Sequence, residues 1–440
     1  MEVRRFHFSF FFLFALFTVS FVFNFKNSSE AKLITFYDLK SSRLPLLAVK
    51  TKGMKPIKSK EDFKKADFFI FENFDTAHKT YRALRDKIDY DDMLHLTGKI
   101  RGRGNSTWVS FDQNKRSFLL KFDDAHSLFG LPAARKWILQ ANLTDKTSLR
   151  NVYAYFLGRA IFRKVSWTPR TQFVHLFVND KYLGLYAFME KAEVADSRIE
   201  LPFGENDDSF FAEVNSRLNR AWNFKSDKGV NLSIREKENA GNEYYRNAEK
   251  ILKDFERVLF SDDFSDPLKG YRPYIDIDSF VDWYLVNEFT KNHDAAFQDS
   301  CFLTYSSADK KIRMGPLWDF DISCGNNKGE CADPEGLFIQ SRHWYARLWE
   351  DSFFREKVRD RWAEVRDSVR SSFYWLETMA DYLENDANLD DKIWQRFGYR
   401  QWPNAPGYKE RKTYRAEVDY MERWLKARAA WFDKEFGIEK

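Results

Sequence analysis

A chain of 440 residues is long enough for two or three domains or one elaborated catalytic unit, and an aromatic share of 18%, with 44 Phe, 20 Tyr and 14 Trp, excludes a disordered polymer. The 71 basic and 66 acidic residues leave a formal charge of only +5, so no nucleic-acid partner is expected. Three cysteines, Cys301, Cys324 and Cys331, are too few for a disulfide scaffold and lack the paired spacing of a thiolate zinc site.

Residues 6–25 follow Arg4 and Arg5 as a mostly apolar run. As a helix rising ~1.5 Å per residue it spans ~30 Å, enough to cross a bilayer. Positive charge before it predicts a cytoplasmic N-terminus and an exported remainder, a single-pass membrane protein. Cleavage would instead give a secreted domain, although no small-x-small site ends the run. Residues 26–43 are polar and read as a linker.

Residues 44–49 have strand composition and end in a turn at Thr51-Lys52-Gly53. A helix start is expected over 59–65, capped by Ser59, before a strand over 66–74. Residues 96–108 run from a strand into a loop containing Arg101, Gly102, Arg103 and Gly104. Glycines admit close backbone approach and arginines favour phosphate, although such a turn by itself is more often only a turn. Asn27, Asn105, Asn142 and Asn231 begin glycosylation triplets, which matter only on a eukaryotic secretory route.

In the strand over 116–122, Ser117, Leu119 and Lys121 share one face, and Phe118, Leu120 and Phe122 the other. Lys121 can reach a phosphate against the preceding loop or simply extend into water. A turn at 128–132, a strand at 137–141 and a helix from 144–151 onward follow, the helix carrying Leu149, Val152, Tyr153, Phe156 and Ala160 at core spacing. Strands over 171–178 and 183–189 form a hairpin about Asn179-Asp180-Lys181, and Glu190 at its end either pairs a lysine or is solvated. Residues 193–270 are charged and read as an insertion around a strand at 210–214 and a helix at 244–260.

Asp278 caps an expected helix over 279–289 that delivers the chain into Asn292-His293-Asp294. An acidic loop to Asp299, a strand at 301–305 and a second strand from Met314 toward Asp319 and Asp321 then form a hairpin. On a strand the last two carboxylates would share a side, with Phe320 opposite. Cys324 and Cys331 flank a turn and either close a small loop or remain thiols. Beyond residue 345, Val358, Trp362, Val365, Val369 and Phe373, then Tyr414, Val418, Met421, Leu425 and Phe432, mark amphipathic helices.

Asp294, Asp299, Asp319 and Asp321 offer oxygen ligands suited to Mg²⁺ or Mn²⁺. Phosphoryl transfer needs such a cation, a basic group on the nucleotide and a carboxylate that orients the acceptor. Paired aspartates also occur in ordinary turns, and His293 is more simply a hydrogen-bonded neighbour, so spacing alone leaves the chemistry open.

Several stretches resemble the CotH family of spore-coat and secreted atypical kinases. They are Ile100-Arg101-Gly102-Arg103-Gly104-Asn105-Ser106-Thr107-Trp108, residues 115–122, Leu139-Gln140-Ala141-Asn142-Leu143-Thr144-Asp145 continuing to Asn151, Gly184-Leu185-Tyr186 with Glu190, and Gly315-Pro316-Leu317-Trp318-Asp319-Phe320-Asp321. The resemblance implies an α+β, divergent protein-kinase-like two-lobed fold, with a kinase domain over 44–345 and a helical C-terminal lobe over 346–440. It implies ATP with Mg²⁺ or Mn²⁺ as cofactors and Ser or Thr of an exported or surface protein as acceptor. By resemblance Asp294 is the catalytic aspartate and Asp319 a metal ligand. Lys121 and Glu190 correspond to the phosphate-contacting lysine and its partner, Arg103 lies in the nucleotide loop, and Asp321 supports the metal or caps the turn. Two positions depart from the pattern: Asp299 stands where a metal-binding Asn is expected, and Cys324 where an aromatic or apolar residue is common. A kinase-like surface binding protein without turnover and a metal-dependent phosphohydrolase are the competing readings.

Overall fold

A computed structural model describes residues 39, 42–72, 94–104, 108, 115–202, 207–220, 222–403 and 405–438. The apolar run at 6–25 lies outside them, and among the described residues no helix is long and apolar enough to cross a membrane.

Seven strands close a barrel: β1 (Leu46–Thr51), β2 (Lys64–Phe71), β3 (Leu94–Arg103), β4 (Ser117–Leu128), β5 (Leu131–Gln140), β6 (Thr171–Val178) and β7 (Lys181–Glu190), in the order β1-β2-β3-β4-β5-β7-β6. β1 runs parallel to β6 and closes the ring; the other neighbours are antiparallel. The alternation read in β4 determines its packing. Phe118, Leu120 and Phe122 fill the barrel with Val49, Phe68, Ile100, Trp137 and Phe188, whereas Leu119 points out with Ile138, Leu185 and Met189 into a second core. A strand buried on both faces loses clean alternation, so this part of the chain reads as a near-continuous apolar run.

The second core belongs to a five-stranded antiparallel sheet and the helices. β8 (Phe210–Val214), β9 (Trp222–Lys225), β10 (Asn231–Ile234), β11 (Cys301–Ser306) and β12 (Lys311–Met314) take the order β12-β11-β8-β10-β9. Residues 193–270, expected as an insertion, therefore supply β8 at the middle of this sheet and β10 and β9 on one side of it. The helices are α1 (Arg150–Ala160), α2 (Asn242–Leu259), α3 (Ile277–Phe289), α4 (His343–Leu348), α5 (Ser352–Trp394) and α6 (Tyr414–Glu435). Every residue of α3 from Ser279 to Phe289 is buried, and its Trp283 stacks on Tyr345 at 5.3 Å.

Along α5, Phe354, Val358, Trp362, Val365, Val369 and Leu376 face the same core. Its far end meets the barrel: Asp390 accepts from Lys115 Nζ at 2.9 Å and from the Leu185 amide at 2.9 Å, with Lys115 and Asp390 both fully buried. Burial pushes the Lys115 ammonium down to about 8. Gly184, at φ +101, is required here because a Cβ would lie 2.0 Å from the Asp390 carboxylate.

The expected α+β class is present, but a closed seven-stranded barrel and a five-stranded sheet replace a plain two-lobed outline. Two local expectations also change, and one open alternative is resolved. Residues 59–63 form a bend rather than a helix: Ser59 Oγ accepts from the Glu61 and Asp62 amides at 3.0 Å each, and the chain then enters β2, whose pairing with β3 outweighs a weak local helix signal. α3 is capped by Asp276, which accepts from the Ser279 amide at 3.0 Å, while Asp278 sits in its first turn. Cys301, Cys324 and Cys331 are all free and buried, so Cys324 and Cys331 are not bridged.

Candidate active site

The site is built from the turn before α1 outward. Asp145 accepts from the Thr147 amide at 3.0 Å, the Arg150 amide at 2.8 Å and Arg150 Nη1 at 2.6 Å, closing a fully buried turn. Arg150 Nε then donates to the Ser323 carbonyl at 3.0 Å, and Asn151 Oδ1 accepts from the Phe320 amide at 2.7 Å. The helix start thereby fixes the chain on both sides of Asp321.

Residues 319–321 are not a strand. After β12 the chain passes Gly315, at φ +117, where a Cβ would meet the Ser166 amide at 2.9 Å, and Asp319 itself adopts φ +61. Left-handed backbone at a non-glycine residue costs about 1–3 kcal/mol and persists where surrounding contacts over-determine it. Here Phe320 supplies such contacts, fully buried with its ring edge-on to Tyr155 at 6.1 Å. The Tyr155 hydroxyl donates to Asn151 Oδ1 at 3.4 Å, the same oxygen that accepts from the Phe320 amide. Asp319 and Asp321 reach one cluster, and Phe320 the core, through a turn instead of a pleat.

Asp294 arrives from the other side. α3 ends in a turn in which the Asn292 amide donates to the Asn287 carbonyl at 3.0 Å and Asn292 Oδ1 accepts from the Asp294 amide at 3.3 Å. His293 is half-exposed, with Nδ1 3.6 Å from the Asp294 carboxylate.

Asp294, Asp319 and Asp321 each present a carboxylate oxygen within 4.8 Å of the others. Ser300 Oγ donates to Asp319 at 3.3 Å, and the Thr144 hydroxyl donates to Asp321. Arg103 extends from the end of β3, donating to Gln140 Oε1 at 2.9 Å and lying 5.4 Å over the Trp318 ring. Burial first and the neighbouring Asp294 second push the Asp319 carboxyl up, against the charge of Arg103, to about 6. Burial also holds Asp321 well above the usual carboxylate range, reinforced by Asp319 and opposed by the Thr144 hydrogen bond. Asp319 and Asp321, which resist ionisation, form with Asp294 an all-oxygen donor set for a hard divalent cation, whose charge would relieve the crowding of carboxylates.

Three other expected site residues lie apart from this cluster. Asp299 accepts from the Ser216 amide at 3.1 Å and its hydroxyl at 2.9 Å and pairs with Arg217 at 3.3 Å, so its carboxylate is committed to the loop after β8. Lys121 sits between Lys99 and Lys136 in the ladder, four residues from Ser117, which faces Arg103. At roughly 3.3 Å per residue that is about 13 Å along the strand. Glu190 is fully buried and accepts from the Arg170 amide at 2.8 Å and Arg170 Nε at 3.1 Å, which makes Arg170 its partner. Conversely, Thr144, Asn151, Tyr155 and Ser300 support the site without having been singled out. Thr144 and Asn151 lie in one of the stretches that resemble the family, but no role was expected of them, and the partners are up to 177 positions away.

The family model described as CotH kinase protein matches residues 100–432, a span that takes in Arg103, the turn before α1, all three clustered carboxylates and most of α6. A search of curated proteins gives no match. With three quarters of its length inside that match, the chain belongs to the CotH kinase family.

Proposed function

We propose that the protein is an atypical protein kinase that transfers the γ-phosphoryl group of ATP to a Ser or Thr hydroxyl of an exported or surface protein. The observation that carries this reading is the convergence of Asp294, Asp319 and Asp321 within 4.8 Å, with Arg103 beside Asp319. Asp294, Asp319 and Asp321 would hold Mg²⁺ or Mn²⁺, which would offset the negative charge that develops on the transferring phosphoryl group. Asp319 and Asp321, held by Ser300 and Thr144, are the more enclosed ligands. Arg103, fixed by Gln140 and Trp318, offers its guanidinium to a phosphate oxygen. Asp294 keeps 29% of its side chain exposed, and its carboxylate oxygen accepts the hydrogen of the incoming hydroxyl and aims the oxygen at phosphorus. Export with residues 6–25 as a membrane anchor or cleaved signal completes the reading; membrane fractionation of the full chain tests that part.

The second reading, a kinase-like surface binding protein without turnover, draws support from Asp299, whose carboxylate is engaged by Ser216 and Arg217. Incubation of the full chain with ATP, Mn²⁺ and candidate surface proteins decides between them. Phosphorylated Ser or Thr with wild type and not with Asp319→Ala supports the kinase. Equal background in both sinks it, and phosphate release without labelled protein indicates a phosphohydrolase.

A further inference from the structure

Residues 322–341, between Asp321 and α4, contain Gly325, Gly329, Pro334 and Gly336 and form only two short 3₁₀ turns. Such a sequence does not hold a shape through its own backbone. Many of its carbonyls are instead satisfied by side chains from elsewhere. Tyr420 Oη donates to the Gly325 carbonyl at 3.0 Å, Trp424 Nε1 to Ala332 at 2.8 Å, and Arg428 Nη1 to Pro334 and Gly336 at 2.7 Å each. These three residues are spaced by four along α6 and share one face. Trp424 approaches so closely that a Cβ on Gly325, at φ +75, would lie 2.7 Å from its ring.

The same segment is tied to the turn that carries Asp294. Arg428 Nη2 donates to the Glu288 carboxylate at 2.9 Å, and both residues are fully buried. Glu288 in turn accepts from the amides of Phe338 and Ile339 at 2.7 Å and Gln340 at 3.1 Å. Lys291 Nζ donates to the carbonyls of Glu330, at 3.0 Å, and Glu335. Lys291 stands immediately before Asn292-His293-Asp294, and Glu288 lies in the last turn of α3.

We propose that α6 is a built-in splint. Tyr420, Trp424 and Arg428 are positioning residues that hold the segment after Asp321 and, through Glu288, the Asp294 turn in one arrangement without any added phosphate or partner. In switchable enzymes a segment of this kind is ordered by new contacts to an added phosphate; here hydrogen bonds from one helix face do that work permanently. Only the activity arm of the test rests on the kinase reading above.

Hydrogen exchange on the full chain tests the splint, with wild type compared to a Tyr420→Phe/Trp424→Phe double variant. This variant keeps an aromatic ring at each position, deletes one O–H and one N–H donor, and exchanges the Trp424 indole for the smaller phenyl. Expected are protection of 325–336 in wild type, unchanged by phosphatase treatment, and a rise in exchange there on the order of tenfold in the double variant, with α3 and the barrel unaffected. Protein phosphorylation should show a several-fold lower kcat at unchanged KM for ATP. Arg428→Lys should show the larger effect; if it does not fold, the double variant still decides. Unchanged exchange in the double variant, or loss of wild-type protection on phosphatase treatment, would overturn the proposal. A rise in exchange with no transfer by either protein would sustain the splint and remove the kinase reading.

Discussion

Asn151 Oδ1 accepts the backbone N–H of Phe320 at 2.7 Å, so the first turn of α1 fixes the residue that separates Asp319 from Asp321. Asn151→Ala would leave that buried N–H without a partner, at a cost of about 1–3 kcal/mol. Supporting partners of metal ligands typically matter 10–100-fold in metal affinity, and roughly tenfold weaker Mn²⁺ binding is expected here. Thermal denaturation and calorimetric Mn²⁺ titration of the variant measure both effects.

Asp321→Asn should separate stability from function. An amide at this position keeps an acceptor for the Thr144 hydroxyl and removes a charge that burial and Asp319 both oppose. The melting temperature of the metal-free variant should rise, while Mn²⁺ affinity falls by about tenfold or more. A fall in both would mean that the charge of Asp321 supports the fold.

The raised carboxyls fix the direction of the pH dependence. Folding lifts Asp319 from 3.8 to about 6, so within that window the folded protein retains a proton that the unfolded chain has released. Raising the pH strips that proton from the folded state, and the stability of the metal-free protein should decline as pH rises from about 4 to about 6. Asp321, shifted in the same direction, extends the decline upward. Mn²⁺ competes with these protons, so its binding strengthens over the same range. Denaturant titrations at several pH values, with and without Mn²⁺, check both slopes.

Arg103 and Lys121 make a paired test of where phosphate binds. Arg103→Leu, which empties the space beside Asp319, should raise KM for ATP by about tenfold, the scale of one charge-assisted contact. Lys121→Ala, about 13 Å along the strand, should change it less than about twofold. Steady-state kinetics with varied ATP distinguishes them, and the reverse ranking would relocate the phosphate site.

The cysteines give a chemical check on the fold. Burial pushes the Cys324 and Cys331 thiols up to about 12, and thiolate is the reactive form. Native protein should take up little iodoacetamide, and denatured protein should be alkylated at all three cysteines without prior reduction. A requirement for reductant would indicate a bridge.

The sequence by itself determined whatever depends on short-range pattern. The two faces of β4, the hairpin at Asn179-Asp180 and the helix stripes beyond residue 345 were legible because period-2 and period-3.6 burial is written locally. The family resemblance, rather than periodicity, pointed to Asp294, Asp319 and Asp321, and the sequence put Asp299 with them. Tertiary structure decided the rest. Barrel closure depends on β1 meeting β6 across more than a hundred residues, which no local pattern encodes. Lys121 and Asp299 have the residue types a nucleotide site requires, yet strand direction carries the first away, and Ser216 and Arg217 engage the second. Glu190 found Arg170 rather than a lysine, and Thr144, Asn151 and the α6 face became site supports only when distant segments met. Local sequence supplies the chemical groups; long-range packing selects which of them share one small volume.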